Sequence, residues 1–311
     1  MMEVETARHD SERRPRRGAP PECAVVLLSH NAATYLPRCL ASLRAQTYRD
    51  FEVILVDNAS TDDTLAVARA GAERLPYLRL VPQKENLGFA GGNNTGLRHI
   101  APETRFVVLL NTDAFPEPEW LERMVAAARQ DPQAALVVAK ILHADPPHRI
   151  DSCGDVLNSF GVPRSRGRGR PREEYSISEY VFGGCGASLL IRVEALRELD
   201  YLFDESLYLY GEDVDLAYRM QARGYRCRYA AEAIVYHMRS AASADRDTWR
   251  HAISRRNMWI VFMRFNRQRL GKVLLFMLYW LAGDAKLLLT GRGAVVWHEY
   301  RMLLLGKGVK Q

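Results

Sequence analysis

The sequence has no secretory apolar stretch near its start, no cysteine pair spaced C-x-x-C, and no apolar run near the roughly 20 residues that a membrane-crossing helix needs. Its five cysteines, Cys23, Cys39, Cys153, Cys185 and Cys227, are odd in number and widely spaced. That excludes a disulfide framework and predicts a reducing, cytosolic setting. Glycine-rich phosphate loops are also missing where a nucleotide fold would carry them. The first strand-like run, Cys23 to Ser29, leads into Ser29-His30-Asn31-Ala32-Ala33 instead of G-x-G-x-x-G, and the pattern G-x-x-x-x-G-K-[ST] occurs nowhere. Dinucleotide oxidoreductases and P-loop ATPases are thereby disfavoured.

What the chain does have is length and apolar content: 311 residues with 48% hydrophobic composition support one large core plus additions. Its positive charge is local. Residues 239–311 hold 14 Lys/Arg against 4 Asp/Glu, so the net +6 of the whole chain comes from this segment alone. The same segment is strongly apolar, with Val273 to Ala282 reading VLLFMLYWLA before Gly283 and Asp284. Two readings stay open: an amphipathic hairpin lying on an anionic membrane surface, peripheral to the inner face of the cytoplasmic membrane, or helices packed on the rest of the chain or on a second copy. No zinc, helix-turn-helix or RNA-binding signature accompanies the basic residues, so no nucleic-acid partner is expected.

Residues 1–21 are charged, contain proline and lack apolar periodicity, which predicts a disordered leader. Residues 22–240 then read as a catalytic domain and 241–311 as a helical addition. Apolar runs at Cys23–Ser29, Phe51–Asp57, Leu78–Val81, Arg105–Leu110 and Ala134–Ile141 alternate with helical patterns near Tyr35–Gln46, Thr64–Arg74, Gly91–Ile100 and Trp120–Gln130. This alternation predicts an α/β fold with a mostly parallel sheet flanked by helices. Ligands of such sheets collect at the carboxyl ends of the strands, and polar clusters stand there: Ser29-His30-Asn31, Asp57-Asn58-Ala59-Ser60, Glu85-Asn86 and Asn111-Thr112-Asp113. The run Pro163-Arg-Ser-Arg-Gly-Arg-Gly-Arg-Pro-Arg is expected to be a mobile surface loop, with a solvated linker favoured over a grip on substrate phosphate.

Asp113, just past a strand end, suits a divalent ion shared with two phosphates, because Mg²⁺ is typically held by one or two carboxylates plus substrate oxygens. Taken alone, N-x-D is more often a turn or a helix cap. Glu212 and Asp213 open a helical pattern, where acids are expected from the helix dipole. The aromatic stretch Leu207-Tyr-Leu-Tyr before them would also bury them beside a cavity, the setting in which an acid or base is tuned. His237 follows a strand-like stretch from Ala230 to Tyr236 and, by itself, reads as structural.

Together, Val56 to Asp63, Asn86 to Leu97, Leu110 to Asp113, Tyr210 to Leu216 and His237 resemble, in content and order, the motifs of family 2 glycosyltransferases, with their bacterial rhamnosyltransferase-like branch the nearest likeness. The resemblance covers roughly Cys23 to His237. It implies the GT-A fold, a Mg²⁺ or Mn²⁺ cofactor, and inversion at the sugar by a single displacement, and the apolar and basic pattern of residues 241–311 adds C-terminal amphipathic helices. In nucleotide-sugar binding it implies Ser29, Asn31, Asp57 on the base, Asn86, Gly88 and Asn93 in the donor loop, and Asn111 and Asp113 at the D-x-D position. There Asn111 replaces the family's first acid and leaves one charge fewer. Asp113 and His237 resemble the metal ligands, Asp213 the catalytic base with Glu212 as its alternative, and Gly184, Cys185 and Gly186 the small-residue turn beside the acceptor. The implied donor is dTDP-rhamnose and the implied acceptor a lipid-linked saccharide or surface polysaccharide. A catalytically silent fold that binds a nucleotide-sugar or a protein partner is the rival reading. A nucleotidyltransferase is disfavoured because Ser29-His30-Asn31 supplies no phosphate loop.

Overall fold

The computed structural model describes residues 20–75, 77–239 and 244–306. The expected leader falls almost wholly outside them. The first half is a regular alternation: β1 (Cys23–Ser29), α1 (Leu36–Arg44), β2 (Phe51–Asp57), α2 (Thr64–Arg74), β3 (Leu78–Pro82), α3 (Gly88–Leu97) and β4 (Phe106–Asn111). Short β5 (Ala114–Pro116) and α4 (Trp120–Gln130) lead to the long β6 (Ala134–His143). Four short strands follow, β7 (Ile150–Ser152), β8 (Asp155–Leu157), β9 (Pro163–Ser165) and β10 (Tyr180–Val181), and then β11 (Ser188–Arg192), α5 (Val193–Leu196), α6 (Glu212–Ala222) and β12 (Arg226–His237). Three helices close the described chain: α7 (Ala244–Asn266), α8 (Leu270–Leu289) and α9 (Gly293–Leu305).

The main sheet runs β10-β12-β6-β11-β4-β1-β2-β3, with β5 added to β12 and β7 to β6. β1, β2, β3 and β4 are mutually parallel, and β6 is parallel to β12. β11 runs antiparallel between β4 and β6 and joins the two parallel halves. Because helices cover both faces, the central strands are apolar at nearly every position. Val25, Leu27, Val53, Leu55, Val108 and Leu110 pack with Leu36, Leu40, Leu43, Leu121 and Met124 on one side. On the other, Val107, Leu109, Leu136 and Val138 pack with Phe203, Leu216 and Met220.

The structure departs from the sequence-based expectations in four places. The third helix starts at Gly88, three residues early, because Gly88 adopts φ +70 and turns the chain directly into it. β11 was not expected, since its five residues follow a glycine-rich turn that reads as loop. The arginine-rich run is not a free linker. Pro163–Ser165 pairs with β8, while Arg166 lies over Tyr175 at 4.4 Å and Tyr229 at 5.4 Å and donates to the Cys153 carbonyl at 3.2 Å. Stacking gives guanidinium groups a packing mode that hydropathy does not register. Finally, the apolar run that ends before Gly283 is part of a longer helix: α8 continues through Asp284, whose carboxylate is buried against Arg255 and the Tyr300 hydroxyl, so neighbouring helices satisfy its charge.

The C-terminal helices therefore pack on the catalytic body through α7. Val261 meets Leu207 and Val214, and Phe262 stacks on Phe276 with ring centroids 3.7 Å apart. The outer side of α8 nevertheless stays apolar and exposed at Leu270, Leu274, Leu278, Leu281 and Leu288. No helix among the described residues is long and apolar enough to cross a membrane.

Candidate active site

At the edge of the parallel half, Ser29 and Asp57 are register partners at the ends of β1 and β2. Asp57 is 1% exposed; its Oδ2 accepts from the Ser60 N–H at 3.3 Å, while Oδ1 has no hydrogen-bond partner. The buried Ser29 hydroxyl is likewise unpartnered. Buried polar atoms are almost always satisfied, so two orphans at adjacent strand ends mark a place where a ligand completes the bonding. Asn31 (φ 51) and Ala59 (φ 58) hold the loops after these strands in the left-handed region, and the Asn31 side chain accepts from the Thr61 N–H at 2.8 Å.

The next loop is built by asparagines bonding to backbone. Asn86 Oδ1 accepts from the Gly88 N–H at 2.9 Å and from Asn58 Nδ2 at 3.0 Å. Asn93 is buried and donates to the Phe89 carbonyl at 2.9 Å. Asn94 bonds both the N–H and the C=O of Phe203. A Cβ on Gly88 would lie 2.4 Å from the Tyr208 ring and 2.5 Å from its carbonyl oxygen. Asn86 and Gly88 thus fix how α3 starts, Asn93 bonds only within α3, and Asn94 and Gly88 fix how the 203–208 segment crosses over it.

Asp113 follows β4 and His237 ends β12. The pairing of β5 with β12 brings Asp113 Oδ1 to 3.1 Å from His237 Nε2, with Asn111 Nδ2 at 3.5 Å from the same nitrogen. On the far side of the ring, His237 Nδ1 lies 3.5 Å from Asp151 Oδ2, which also accepts from Arg239 Nε at 2.8 Å. Burial opposes a charged imidazole, but the two carboxylates outweigh it and raise His237 to about 9. Burial also pushes Asp151 up, yet His237 and the Arg239 guanidinium hold its carboxyl below the usual range. One carboxylate and one imidazole, the latter braced from behind by a second carboxylate, fit a divalent ion. Among the described residues no third His, Cys, Asp or Glu joins them, so an ion here would draw its other ligands from a substrate such as a diphosphate.

Glu212 and Asp213 open α6 after Gly211, which turns the chain at φ 86. Asp213 Oδ2 accepts from the Gly186 N–H at 3.2 Å and Oδ1 from the Val214 N–H at 2.9 Å. Glu212 is 4% exposed and its Oε2 has no partner. Burial, and then the charge of Asp213, push Glu212 well above the carboxylate range. Burial raises Asp213 too, against the opposing pull of its N–H donors. Asp215 faces away, fully buried in ion pairs with Arg219 and Arg264. The loop into α6 is strained: Tyr208 (φ 60) and Tyr210 (φ 69) both sit in the left-handed region, at an expected cost of about 1–3 kcal/mol each. Asn257 of α7 compensates, its side-chain amide lying within 2.6–2.9 Å of the carbonyls of Leu207, Leu209 and Tyr210.

A cavity of about 980 Å³ gathers Asn111, Asp113, Cys185, Gly186, Glu212, Asp213 and His237. Gly184 stands outside its wall, packed so closely on β6 that a Cβ would lie 2.3 Å from Val138 Cγ1. Burial and then Asp213 push the Cys185 thiol far up, so it stays neutral. Ser29, Asn31, Asp57, Asn86, Gly88 and Asn93 do not line this cavity. Sequence reasoning missed Asp151, Arg168, Arg239, Arg250, His251 and Arg292, the last five of which do line it. Asp151 lies in a stretch of weak pattern, Arg168 stood in the run read as a solvated linker in preference to a phosphate grip, and the other arginines were read only as bulk charge.

The family model of glycosyl transferase family 2 matches residues 24–200, more than half of the chain. The chain belongs to this family. An N-acetylglucosaminyl-diphospho-decaprenol L-rhamnosyltransferase of Mycobacterium tuberculosis is 28% identical over 261 residues, covering 77% of this chain and 83% of that protein. A pre-mycofactocin glycosyltransferase of the same organism is 31% identical over 220 residues, 70% of this chain and 42% of the relative. Among solved structures, a mannosyltransferase from Pyrobaculum calidifontis in complex with GDP-Man and Mn²⁺ matches with TM-score 0.59 at 19% identity, over 97% of this chain and 92% of that one. GalNAc-T7 with UDP, GalNAc and Mn²⁺ matches with TM-score 0.62 at 16% identity, over 79% of this chain and 48% of that one. These likenesses establish the glycosyltransferase fold, and family membership makes this glycosyltransferase an enzyme of sugar transfer.

Proposed function

We propose that this enzyme is an inverting, metal-dependent transferase that moves rhamnose from dTDP-rhamnose onto a hydroxyl of a lipid-linked saccharide or surface polysaccharide. The observation that carries the proposal is one cavity holding both the Asp113–His237 pair and the Asp213 carboxylate, which is aimed by the Gly186 N–H. The unpartnered Asp57 Oδ1 and Ser29 Oγ would take the donor's base. Asp213 would accept the proton of the acceptor hydroxyl as that oxygen attacks the anomeric carbon and the carbon–oxygen bond to the diphosphate breaks, the electron pair staying with the phosphate. Glu212 suits the base role less, because burial and then the charge of Asp213 favour its protonated form. Asp113 and His237 would hold Mg²⁺ or Mn²⁺, which supplies counter-charge to the leaving diphosphate. Rhamnose and the lipid-linked acceptor are supported by the rhamnosyltransferase relative, which this chain spans over 83% of its length.

The test is release of nucleoside diphosphate by the purified chain from a panel of dTDP-, UDP- and GDP-sugars, with Mg²⁺ or Mn²⁺ and with chelator. The expected result is turnover of dTDP-rhamnose that needs metal and falls at least a thousandfold in Asp213→Asn. Turnover that ignores chelator, or that survives Asp213→Asn, overturns the mechanism. Binding of a donor with no turnover against any acceptor would favour a silent fold.

An acceptor on a lipid also gives the outer face of α8 a role. Leu270, Leu274, Leu278, Leu281 and Leu288 form one exposed stripe, Trp297 and Leu304 of α9 add to the exposed apolar area, and Lys272 and Lys286 are exposed on the same helix. We read this as a seat on an anionic bilayer surface. Sedimentation with phosphatidylglycerol vesicles, weaker with phosphatidylcholine and lost in Leu274→Glu/Leu278→Glu, is expected. Equal sedimentation of variant and parent overturns it.

A further inference from the structure

Arginines stand at every second position from Arg164 to Arg172, and protein groups engage four of the five. Arg164 bonds the Tyr279 hydroxyl, Arg166 bonds Glu179 and the Cys153 carbonyl, Arg170 bonds Glu174 at 3.0 Å, and Arg172 bonds the Tyr236 hydroxyl at 3.2 Å. Arg168 differs. It lines the cavity that holds Asp113, His237 and Asp213, and no carboxylate among the described residues pairs with it. The turn that presents it is tightly built, with Gly167 (φ 74) and Gly169 (φ 79) on either side in the left-handed region. Both flanks are tied to the segment that carries Asp151. The Cys153 N–H donates to the Arg166 carbonyl at 2.9 Å, the Ile150 N–H to the Arg170 carbonyl at 2.9 Å, and the Gly169 N–H to the Ile150 carbonyl at 2.8 Å. Behind this strap the ammonium of Lys140, only 5% exposed on β6, donates to the carbonyls of Arg172 at 3.0 Å and Glu174 at 3.2 Å. Among the described residues no carboxylate forms an ion pair with this buried charge, and a buried ammonium held by carbonyls is a costly way to stabilise a fold.

We propose that Arg168 is a further catalytic residue, which donates to the donor's diphosphate as the sugar departs, and that Lys140 is its positioning residue. The inference rests on the metal-dependent transferase reading and adds two residues to it. Asp113 and a neutral His237 imidazole would leave a divalent ion one net positive charge, less than the negative charge on a departing nucleoside diphosphate. A guanidinium fork matches phosphate oxygens and stays charged throughout, so it offsets the remainder without transferring a proton. The strap enters from β7, whereas Asp113 and His237 stand at the ends of β4 and β12, so the two sources of positive charge reach the cavity from different elements. Lys140 touches no residue of the cavity and acts through the strap that carries Arg168.

The test is calorimetric titration of the full chain, with Mg²⁺, against dTDP, UDP and GDP and against the matching nucleosides. Arg168→Gln is expected to weaken the diphosphate that the parent binds best by about tenfold, with part recovered in Arg168→Lys, and to leave nucleoside binding unchanged. In turnover, kcat should fall about a hundredfold and donor KM should change far less, because the charge is greatest once the bond has broken. Lys140→Met should lose several-fold in diphosphate affinity, while Lys140→Met/Arg168→Gln should bind no worse than Arg168→Gln alone. Additive losses would overturn the positioning role of Lys140. Where Lys140→Met fails to fold, Gly169→Ala enters the same cycle, since its methyl meets nothing within 4 Å and acts only through the backbone. Equal diphosphate affinity in parent and Arg168→Gln overturns the proposal, as does a change confined to acceptor KM, and as does a parent that binds no diphosphate. Diphosphate affinity that falls in Arg168→Gln in a chain that turns over no donor would keep Arg168 on the diphosphate and leave the failure with the transferase reading.

Discussion

The two ends of the cleft are built from different materials. At the proposed donor end, Ser29, Asp57 and Asp113 stand at or just past the ends of the parallel strands β1, β2 and β4, and the sheet's own register sets their spacing. At the other end, the cavity wall comes from loops, from the strained start of α6, from helix α7 and from Arg292 just before α9, and the buried amide of Asn257 ties helix to loop. Strand ends hold side chains rigidly because ladder bonds fix every residue. Helix-borne walls can be repositioned by changes far along the chain. The donor end is therefore expected to answer to changes in individual groups, and the other end to changes in what supports it.

The sharpest contrast lies between groups that touch the reacting centre and the group behind them. Asp113→Ala and His237→Ala are each expected to lower kcat/KM by a thousandfold or more, since several kcal/mol of charge stabilisation depend on them. Asp151→Asn, which loosens His237 from behind, should cost about 10–100-fold and raise the metal concentration needed for half-maximal rate. Steady-state kinetics across a metal titration separates the two classes, and equal losses would remove the distinction.

Next in size is the support of the acceptor end. Asn257→Ala leaves the carbonyls of Leu207, Leu209 and Tyr210 without their shared donor and the left-handed Tyr208 and Tyr210 without a brace. A loss of about 2–3 kcal/mol in stability is expected, readable by urea unfolding, with kcat falling more than donor affinity. A fall in donor affinity alone would show that the loop serves the other end. At the donor end itself, Asp57→Asn should raise donor KM about tenfold, the worth of one hydrogen bond to a charged group, with kcat changing little.

The same difference in construction explains what the sequence made legible. Continuous apolar runs announced β1, β2, β4 and β6, and polar residues just past them announced Ser29, Asp57 and Asp113, because a parallel sheet ties chemistry to strand ends. The convergence of Asp113 with His237 was implied by family resemblance alone, since 124 residues separate them and only the pairing of β5 with β12 joins them. Asp151 was invisible: it sits in a three-residue strand whose partner, β6, lies far longer and more apolar beside it. Arg239, Arg250 and Arg292 were counted as net charge, and a charge count cannot tell which few of 14 basic residues turn inward to one cavity.

The smallest effect isolates electrostatics beneath the cleft. Burial, and then the charge of Asp213, push Asp155 up to about 7, against a hydrogen bond from Ser165 that pulls it down. An unfolded chain would titrate this carboxyl near its ordinary value of 3.8. The folded state therefore binds the proton more tightly, and the stability this group lends is fully present below the unfolded value and is lost as pH rises through about 7. Thermal unfolding of the parent should show Tm declining between pH 5 and pH 8 by a few degrees more than in Asp155→Asn, whose amide carries no charge to desolvate. A variant with the same slope as the parent would mean that Asp155 stays ionised beside Asp213, and that the acidic end of the cleft carries its charge without storing a proton.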